Sequence, residues 1–375
     1  MGPSSSSHAL SFSRSSSRRR AALLPLLSVL AASAFLAGCS SETPEVNVDD
    51  PVVDPLALAA STEWSWVSMQ NTTCANGTPA GLGTQFAGDE KDLVLYFEGG
   101  GACWNAATCY GLKTATHLTD TYSKELLDED LAPWRTTIFE RSDAENPFKS
   151  AAHVYVPYCT GDLHAGTNVA EYNIGEAAPL SVKHLGAKNV EVYLDRIKRT
   201  FKNLERIWVV GASAGGYGAS FNLPVIAKAF PTKQVHVLAD GSPSINPTAD
   251  RWAEMKTSWK PILPTCTTCG DDLSLYLRAV VDAHPASRYG LLTYTSDPTI
   301  TTLTGLQSPE EFAAGLANAY AKVFTAPNTR YFVVQGNVHV TLNDFDTLTG
   351  PGGVTLKSWV SAWSSGSADW KNLKP

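Results

Sequence analysis

The sequence predicts an α/β architecture, a doubly wound and mostly parallel sheet with helices on both faces. Three observations carry that expectation. Short β-rich runs recur at residues 93–96, 153–157, 206–210, 234–239, 290–294 and 330–334. They are continuous and rich in Val, Ile, Leu and Tyr, as suits strands covered on both faces. Longer patterns, such as 191–204 and 216–230, have helical periodicity, and strands alternating with helices pair in parallel through crossovers. Every run also ends in a polar or glycine-rich turn: after residue 97, after Cys159, at Gly211, at Asp240, at Asp297 and before His339. In open parallel sheets ligands bind outside the carboxyl ends of the strands, so these turns should share one rim. The stretch 242–285, with Trp252, Trp259, Cys266 and Cys269 among polar residues, reads as a small inserted cap.

The first segment stands apart from that fold. Arg18, Arg19 and Arg20 precede an apolar run that ends in Leu36-Ala-Gly-Cys39. A charged start, a short apolar stretch and small residues at the cut make an export signal over 1–38, too short to span a membrane. Its ending resembles the lipobox of bacterial lipoproteins, which implies that Cys39 becomes the lipidated first residue of the mature chain. Lipid there would tie the protein to a membrane surface without a protein span. Ser40 and Ser41 leave no aspartate after the cysteine, which by the same resemblance points to the outer membrane. Residues 40–60 carry five acids and three prolines with no apolar period and read as a solvated tether, leaving 61–375 as the folded domain. The net charge is −7, and loss of the signal's four arginines takes it to −11. A nucleic-acid partner is therefore not expected.

Six cysteines remain after Cys39, an even number in an exported chain. Cys103 with Cys109 and Cys266 with Cys269 are the local pairings, which leaves Cys74 with Cys159. The Cys266-Thr-Thr-Cys269 pair also has the spacing of a redox motif or half a zinc site, but no second ligand pair accompanies it. A structural bridge, and no metal, is the expectation.

The chemistry centres on Gly211-Ala-Ser-Ala-Gly-Gly216, which follows one predicted strand and opens one predicted helix. Small residues on both sides of a serine allow the sharp strand-to-helix turn of an α/β-hydrolase nucleophile. A tight turn whose hydroxyl caps the helix is the structural alternative. Ser213 as nucleophile needs a base held by an acid, and in this fold the order is serine, acid, histidine. His339, on the turn after the last strand, is the candidate base. His236 lies inside a strand, and His284 precedes a proline. Asp297 and Asp240 both end strands after Ser213, and the later turn favours Asp297. Oxyanion donors are expected from the amides of Ala214, Gly100 and Gly101. Asp240 would then shape the pocket floor or orient a loop. Asp162 and His164 would contact substrate or hold their loop. Trp104, Trp252 and Trp259 are candidates for stacking on a sugar.

With Glu98-Gly-Gly-Gly-Ala-Cys-Trp104-Asn105, Asn146-Pro-Phe148, Val156-Pro-Tyr-Cys159 and the Ser213 motif in this order, followed by Asp297 and His339, the chain resembles the pectin acetylesterase and Notum family of α/β-hydrolases. The resemblance implies a cofactor-independent serine esterase, with Ser213, Asp297 and His339 as triad and Gly100, Gly101 and Ala214 as oxyanion donors. It implies an ester substrate, O-acetyl groups on pectin or a fatty acyl group. Two rival expectations are an esterase, lipase or polyester depolymerase for longer acyl chains, and a surface carbohydrate-binding protein without catalysis. The third glycine of the loop and the 242–285 stretch depart from the family pattern.

Overall fold

The computed structural model describes residues 57–375 apart from 88–89, 174, 176–178 and 264–265. The signal, Cys39 and most of the acidic tether lie outside the described residues. The first half contains β1 (Ser65–Met69), β2 (Ala80–Gln85), β3 (Asp92–Phe97), α1 (Lys124–Leu131), β4 (Ala152–Val156), β5 (Asn168–Tyr172), β6 (Leu180–His184) and α2 (Gly186–Thr200). It is followed by β7 (Arg206–Ala212), α3 (Ala214–Ala229), β8 (Gln234–Asp240), α4 (Ala249–Trp259), α5 (Leu273–Ala283) and β9 (Tyr289–Tyr294). The chain closes with α6 (Pro298–Thr304), α7 (Pro309–Lys322), β10 (Thr329–Val334) and α8 (Leu356–Ser365).

The main sheet runs β1-β2-β4-β3-β7-β8-β9-β10. Strands β4, β3, β7, β8, β9 and β10 are parallel neighbours, with Tyr96 opposite Val210 and Val210 opposite Leu238. These are the six strands expected from the apolar runs. Strands β1 and β2 add an antiparallel edge, and β5 pairs with β6 in a separate two-stranded ribbon. Alternate residues serve opposite faces. Leu93, Leu95, Val209, Val237 and Leu291 join the core beneath α2, α3, α5 and α7. Val94, Tyr96, Trp208, Val210 and Leu292 join the core beneath α1 and α8. Burial on both faces is why these runs are continuous rather than alternating.

The 242–285 stretch does not form a lobe with its own core. Trp252, Met255 and Trp259 of α4, and Leu273, Leu277 and Val281 of α5, belong to the same core as α2 and α3. Trp252 and Trp259 are 3% and 1% exposed, and the Trp259 indole donates to the Cys103 carbonyl at 2.7 Å. These two rings are core packing and do not offer a face to a sugar. The disulfides are Cys74–Cys159, Cys103–Cys109 and Cys266–Cys269, the pairing expected from spacing. Among the described residues no helix is long and apolar enough to cross a membrane.

Candidate active site

Ser213 sits between β7 and α3 with φ 56° and ψ −123°, a left-handed conformation that costs a non-glycine residue about 1–3 kcal/mol. Its neighbours make the turn possible. A Cβ on Gly211 would lie 2.2 Å from the Gly215 carbonyl oxygen, and one on Gly215 would lie 1.9 Å from that of Phe97. Any side chain at either position would therefore force the turn open. The Ser213 amide donates to the Asp240 carbonyl at 2.8 Å, which locks the turn to the end of β8.

His339 follows β10, and its Nδ1 lies 2.7 Å from Asp297 Oδ2. Asp297 is fully buried at the start of α6, where its other oxygen accepts the Ile300 amide at 3.0 Å. The remaining ring nitrogen, Nε2, is buried without a hydrogen-bond partner among the described residues. No hydrogen bond joins it to Ser213 Oγ. His339 and Ser213 line one cavity, so the structure brings the three candidate triad residues to one rim.

The glycine loop lies beside them. Thr116 donates to the Gly100 carbonyl at 2.9 Å and Ala102 to the Thr114 carbonyl at 3.0 Å, placing Gly101 opposite Ala115 in an antiparallel bridge. In that arrangement the Gly101 N–H points away from its partner strand. None of the Gly100, Gly101 and Ala214 amides donates to a described residue. Gly100 and Gly101 have φ 142° and 75°, and a Cβ on Gly101 would lie 2.0 Å from the Thr114 carbonyl oxygen. Ala214 is the first residue of α3, where the helix dipole favours negative charge.

Two cavities meet at Gly101, Ser213 and Thr299. One, of about 500 Å³, is walled by Trp104, Leu112, Pro298 and Leu303 with Arg251 at its edge. The other, of about 430 Å³, carries Glu98, Glu129, Asp130 and Trp134 as well as His339.

The acidic side contains a cluster that the sequence did not reveal. His117 Nδ1 lies 3.2 Å from Asp120, and its Nε2 lies 3.4 Å from Asp130 and 3.7 Å from Glu98. Burial opposes charge on the ring, but Asp130 and Glu98 outweigh it and raise the His117 pKa to about 9. Burial, and after it the charge of Asp130, pushes the Glu98 carboxyl well above the usual carboxylate range. Glu98 also accepts the Tyr158 amide at 2.6 Å, so the cluster anchors the residue that begins the glycine loop. One ligand atom each from Glu98, His117 and Asp130 falls within 4.8 Å of the others. With both ring nitrogens facing carboxylates, the arrangement suits a protonated histidine between acids better than an open metal cage.

Asp240, Asp162 and His164 hold loops, the second of the two roles expected for each. Asp240 accepts from the Thr341 amide and hydroxyl at 3.0 and 2.9 Å and from the Leu342 amide at 2.7 Å. Burial raises its carboxyl to about 6 against those bonds. Asp162 accepts from the Thr160 hydroxyl at 2.6 Å and the Gly186 amide at 2.8 Å. The His164 Nε2 faces the Glu98 carbonyl at 2.8 Å, and burial lowers its pKa to about 4. Asp240 and Asp162 are fully buried, His164 nearly so, and none lines either cavity. Trp104 does line the larger one.

The family model described as Pectinacetylesterase matches residues 60–263, a span that holds Ser213 and the glycine loop and ends before Asp297 and His339. A Xenopus laevis palmitoleoyl-protein carboxylesterase, notum2, is 29% identical over 195 residues, covering 50% of this chain and 37% of that protein. The human palmitoleoyl-protein carboxylesterase NOTUM is 27% identical over 179 residues, covering 45% of this chain and 34% of that protein. The chain thus spans about a third of the length of these relatives. A crystal structure of the Drosophila Wnt deacylase Notum superposes with a TM-score of 0.63 at 17% identity, covering 83% of this chain and 96% of that one. That likeness is one of fold, an α/β-hydrolase-type sheet. By the match to its family model over more than half its length, the chain belongs to the pectinacetylesterase family.

Proposed function

We propose that the protein is a serine carboxylic-ester hydrolase that removes O-acetyl groups from a polysaccharide such as pectin. The observation that carries this reading is the His339 ring, held at Nδ1 by Asp297 with an unpartnered Nε2 in the cavity that contains Ser213. In the reaction Ser213 Oγ attacks the ester carbonyl carbon while His339 Nε2 takes the hydroxyl proton. The Oγ–Nε2 hydrogen bond forms when substrate binds, as catalytic bonds often tighten only in the complex. The amides of Gly100, Gly101 and Ala214 receive the oxyanion, and one such donor lowers the barrier by on the order of 3 kcal/mol. Collapse expels the alcohol, which takes the proton from His339. Water then attacks the acyl-enzyme by the same route, and Asp297 holds the ring at Nδ1 throughout.

The family name supports acetyl as the acyl group. A second reading, hydrolysis of longer acyl esters, is supported by the larger cavity and its apolar walls at Trp104, Leu112, Pro298 and Leu303. Acetate release from acetylated pectin and xylan, measured beside a series of nitrophenyl esters of rising chain length, separates the two. Activity falling steeply beyond two or three carbons supports the acetyl reading. An unchanged rate in Ser213→Ala would exclude Ser213 as the nucleophile, and a wild type with no hydrolysis above background would leave the non-catalytic carbohydrate-binding alternative.

The same reading includes export and anchoring through lipid on Cys39. Detergent-phase partition of the wild type, lost in Cys39→Ala, tests it.

A further inference from the structure

Arg251 stands on α4 and borders the larger cavity together with Ser213, Trp104 and Leu303. Its Nη1 donates to the backbone carbonyls of Thr302 and, at 3.0 Å, Leu303, in the last turn of α6. Its guanidinium carbon lies 5.2 Å from the centre of the Trp104 ring. The other terminal nitrogen and Nε donate to no described residue, and among the described residues no carboxylate pairs with the group. Glu254, one turn further along α4, is engaged by the Asn105 side chain at 3.0 Å.

Arg206, Arg278, Lys322 and Lys357 are each matched to an aspartate, whereas Arg251, like Arg288 and Arg330, meets backbone carbonyls and an aromatic ring. Arg251 is a cation beside the candidate nucleophile with open donors. The Trp104 face and the α6 carbonyls hold its plane, so little side-chain freedom remains to be lost when a ligand binds. Across Ser213, the other cavity carries Glu98, Glu129 and Asp130. An anionic group on a substrate lying across the serine finds its cationic partner on the Arg251 side.

Resting on the esterase reading above, we propose that Arg251 is a specificity-determining residue whose free guanidinium donors bind a carboxylate carried by the ester substrate. The substrate class is then an O-acylated acidic saccharide, oriented with its carboxylate toward α4. A guanidinium fork suits a carboxylate because two parallel N–H donors meet two oxygens.

The test uses acetylated oligogalacturonate and the same oligosaccharide with its carboxylates methyl-esterified, which changes charge and little else. The wild type should prefer the free acid in kcat/KM, with the difference mainly in KM and shrinking as salt rises. In Arg251→Gln the ratio of acid to methyl ester should fall at least tenfold. Arg251→Lys, which keeps a cation able to reach the α6 carbonyls, should fall between. An unchanged ratio in both variants, or no wild-type preference for the acid, overturns the proposal. Equal loss on both substrates also overturns it, since that is what a purely structural Arg251 would produce.

Calorimetric titration of unacetylated oligogalacturonate into Ser213→Ala, with and without Arg251→Gln, separates this inference from the esterase reading. Binding that weakens at least tenfold without Arg251 upholds it even if no ester is hydrolysed. Binding that is absent, or indifferent to Arg251, overturns it.

Discussion

The carboxylate of Asp297 lies 2.7 Å from Nδ1 of His339, while its second oxygen caps α6 through the Ile300 amide. One side chain thus ties a helix start to the turn after β10. Asp297→Asn retains an oxygen for the Ile300 amide but offers His339 a neutral partner and permits the wrong tautomer. Under the proposed mechanism kcat should fall by about 10⁴-fold with little change in melting temperature. Steady-state kinetics beside thermal unfolding checks both halves.

Asp240 should behave in the opposite way. Its carboxylate accepts from Thr341 and Leu342, two and three residues beyond His339. In Asp240→Asn the amide nitrogen meets one of those donors, leaving a buried N–H unsatisfied at about 1–3 kcal/mol. The melting temperature should drop, and activity should fall less than in Asp297→Asn. The sign of the pH dependence follows from a folded pKa of about 6, above the ordinary value near 3.9. The group's contribution is fully present below about pH 4 and is lost as pH rises through 6. Removing the titrating carboxyl should flatten the stability curve between those values.

That contrast marks how far the sequence could be read. Strands β3, β4 and β7–β10 were legible because burial on both faces produces unbroken apolar runs. Strand β2 was not, because Gly81 and Gly83 are there for space: a Cβ on Gly81 would lie 2.2 Å from the Val67 carbonyl oxygen. Strands β5 and β6 expose alternate residues in a short ribbon and leave no run to find. The turn at Ser213 was legible because its steric demand is local. Asp162 and His164 were legible only as a choice between substrate contact and holding their loop, because the chain does not show that this loop folds inward and uses them as internal partners. His117 and Arg251 reach the site from an irregular loop and from α4, and no spacing in the chain announces contacts of that kind.

The cluster around His117 gives the alkaline limit. The pKa of about 9 exceeds the ordinary histidine value near 6.5, and the Glu98 shift has the same direction. Both groups hold protons more tightly when folded; the His117 contribution is complete below about pH 6.5 and disappears as pH rises through about 9, and that of Glu98 likewise falls with rising pH. Because Glu98 opens the glycine loop, kcat should fall over the same range. His117→Asn should lose stability mainly below pH 9, its melting temperature converging with the wild type above that value. Parallel curves for the two proteins across pH 6–10 would show that the pair is not linked to folding.

The Cys74–Cys159 bridge closes a separation of 85 residues, against 3 for Cys266–Cys269. It joins the segment between β1 and β2 to the turn after β4, and the Ala75 amide reinforces it by donating to the Cys159 carbonyl at 2.7 Å. On the chain-entropy account the long loop stabilises by about 4–5 kcal/mol and the short one by about 2 kcal/mol. The double variant Cys74→Ser with Cys159→Ser should therefore melt on the order of 10 °C lower than the wild type. It should also lower kcat, since Cys159 directly follows Tyr158, whose amide holds Glu98 and whose hydroxyl holds the Gly101 carbonyl at 2.9 Å. Cys266→Ser with Cys269→Ser should shift melting far less and leave kinetics nearly unchanged, because that bridge lines neither cavity at Ser213. Equal shifts for the two pairs would mean that strain or residual structure in the unfolded chain, rather than loop length, sets the stabilisation.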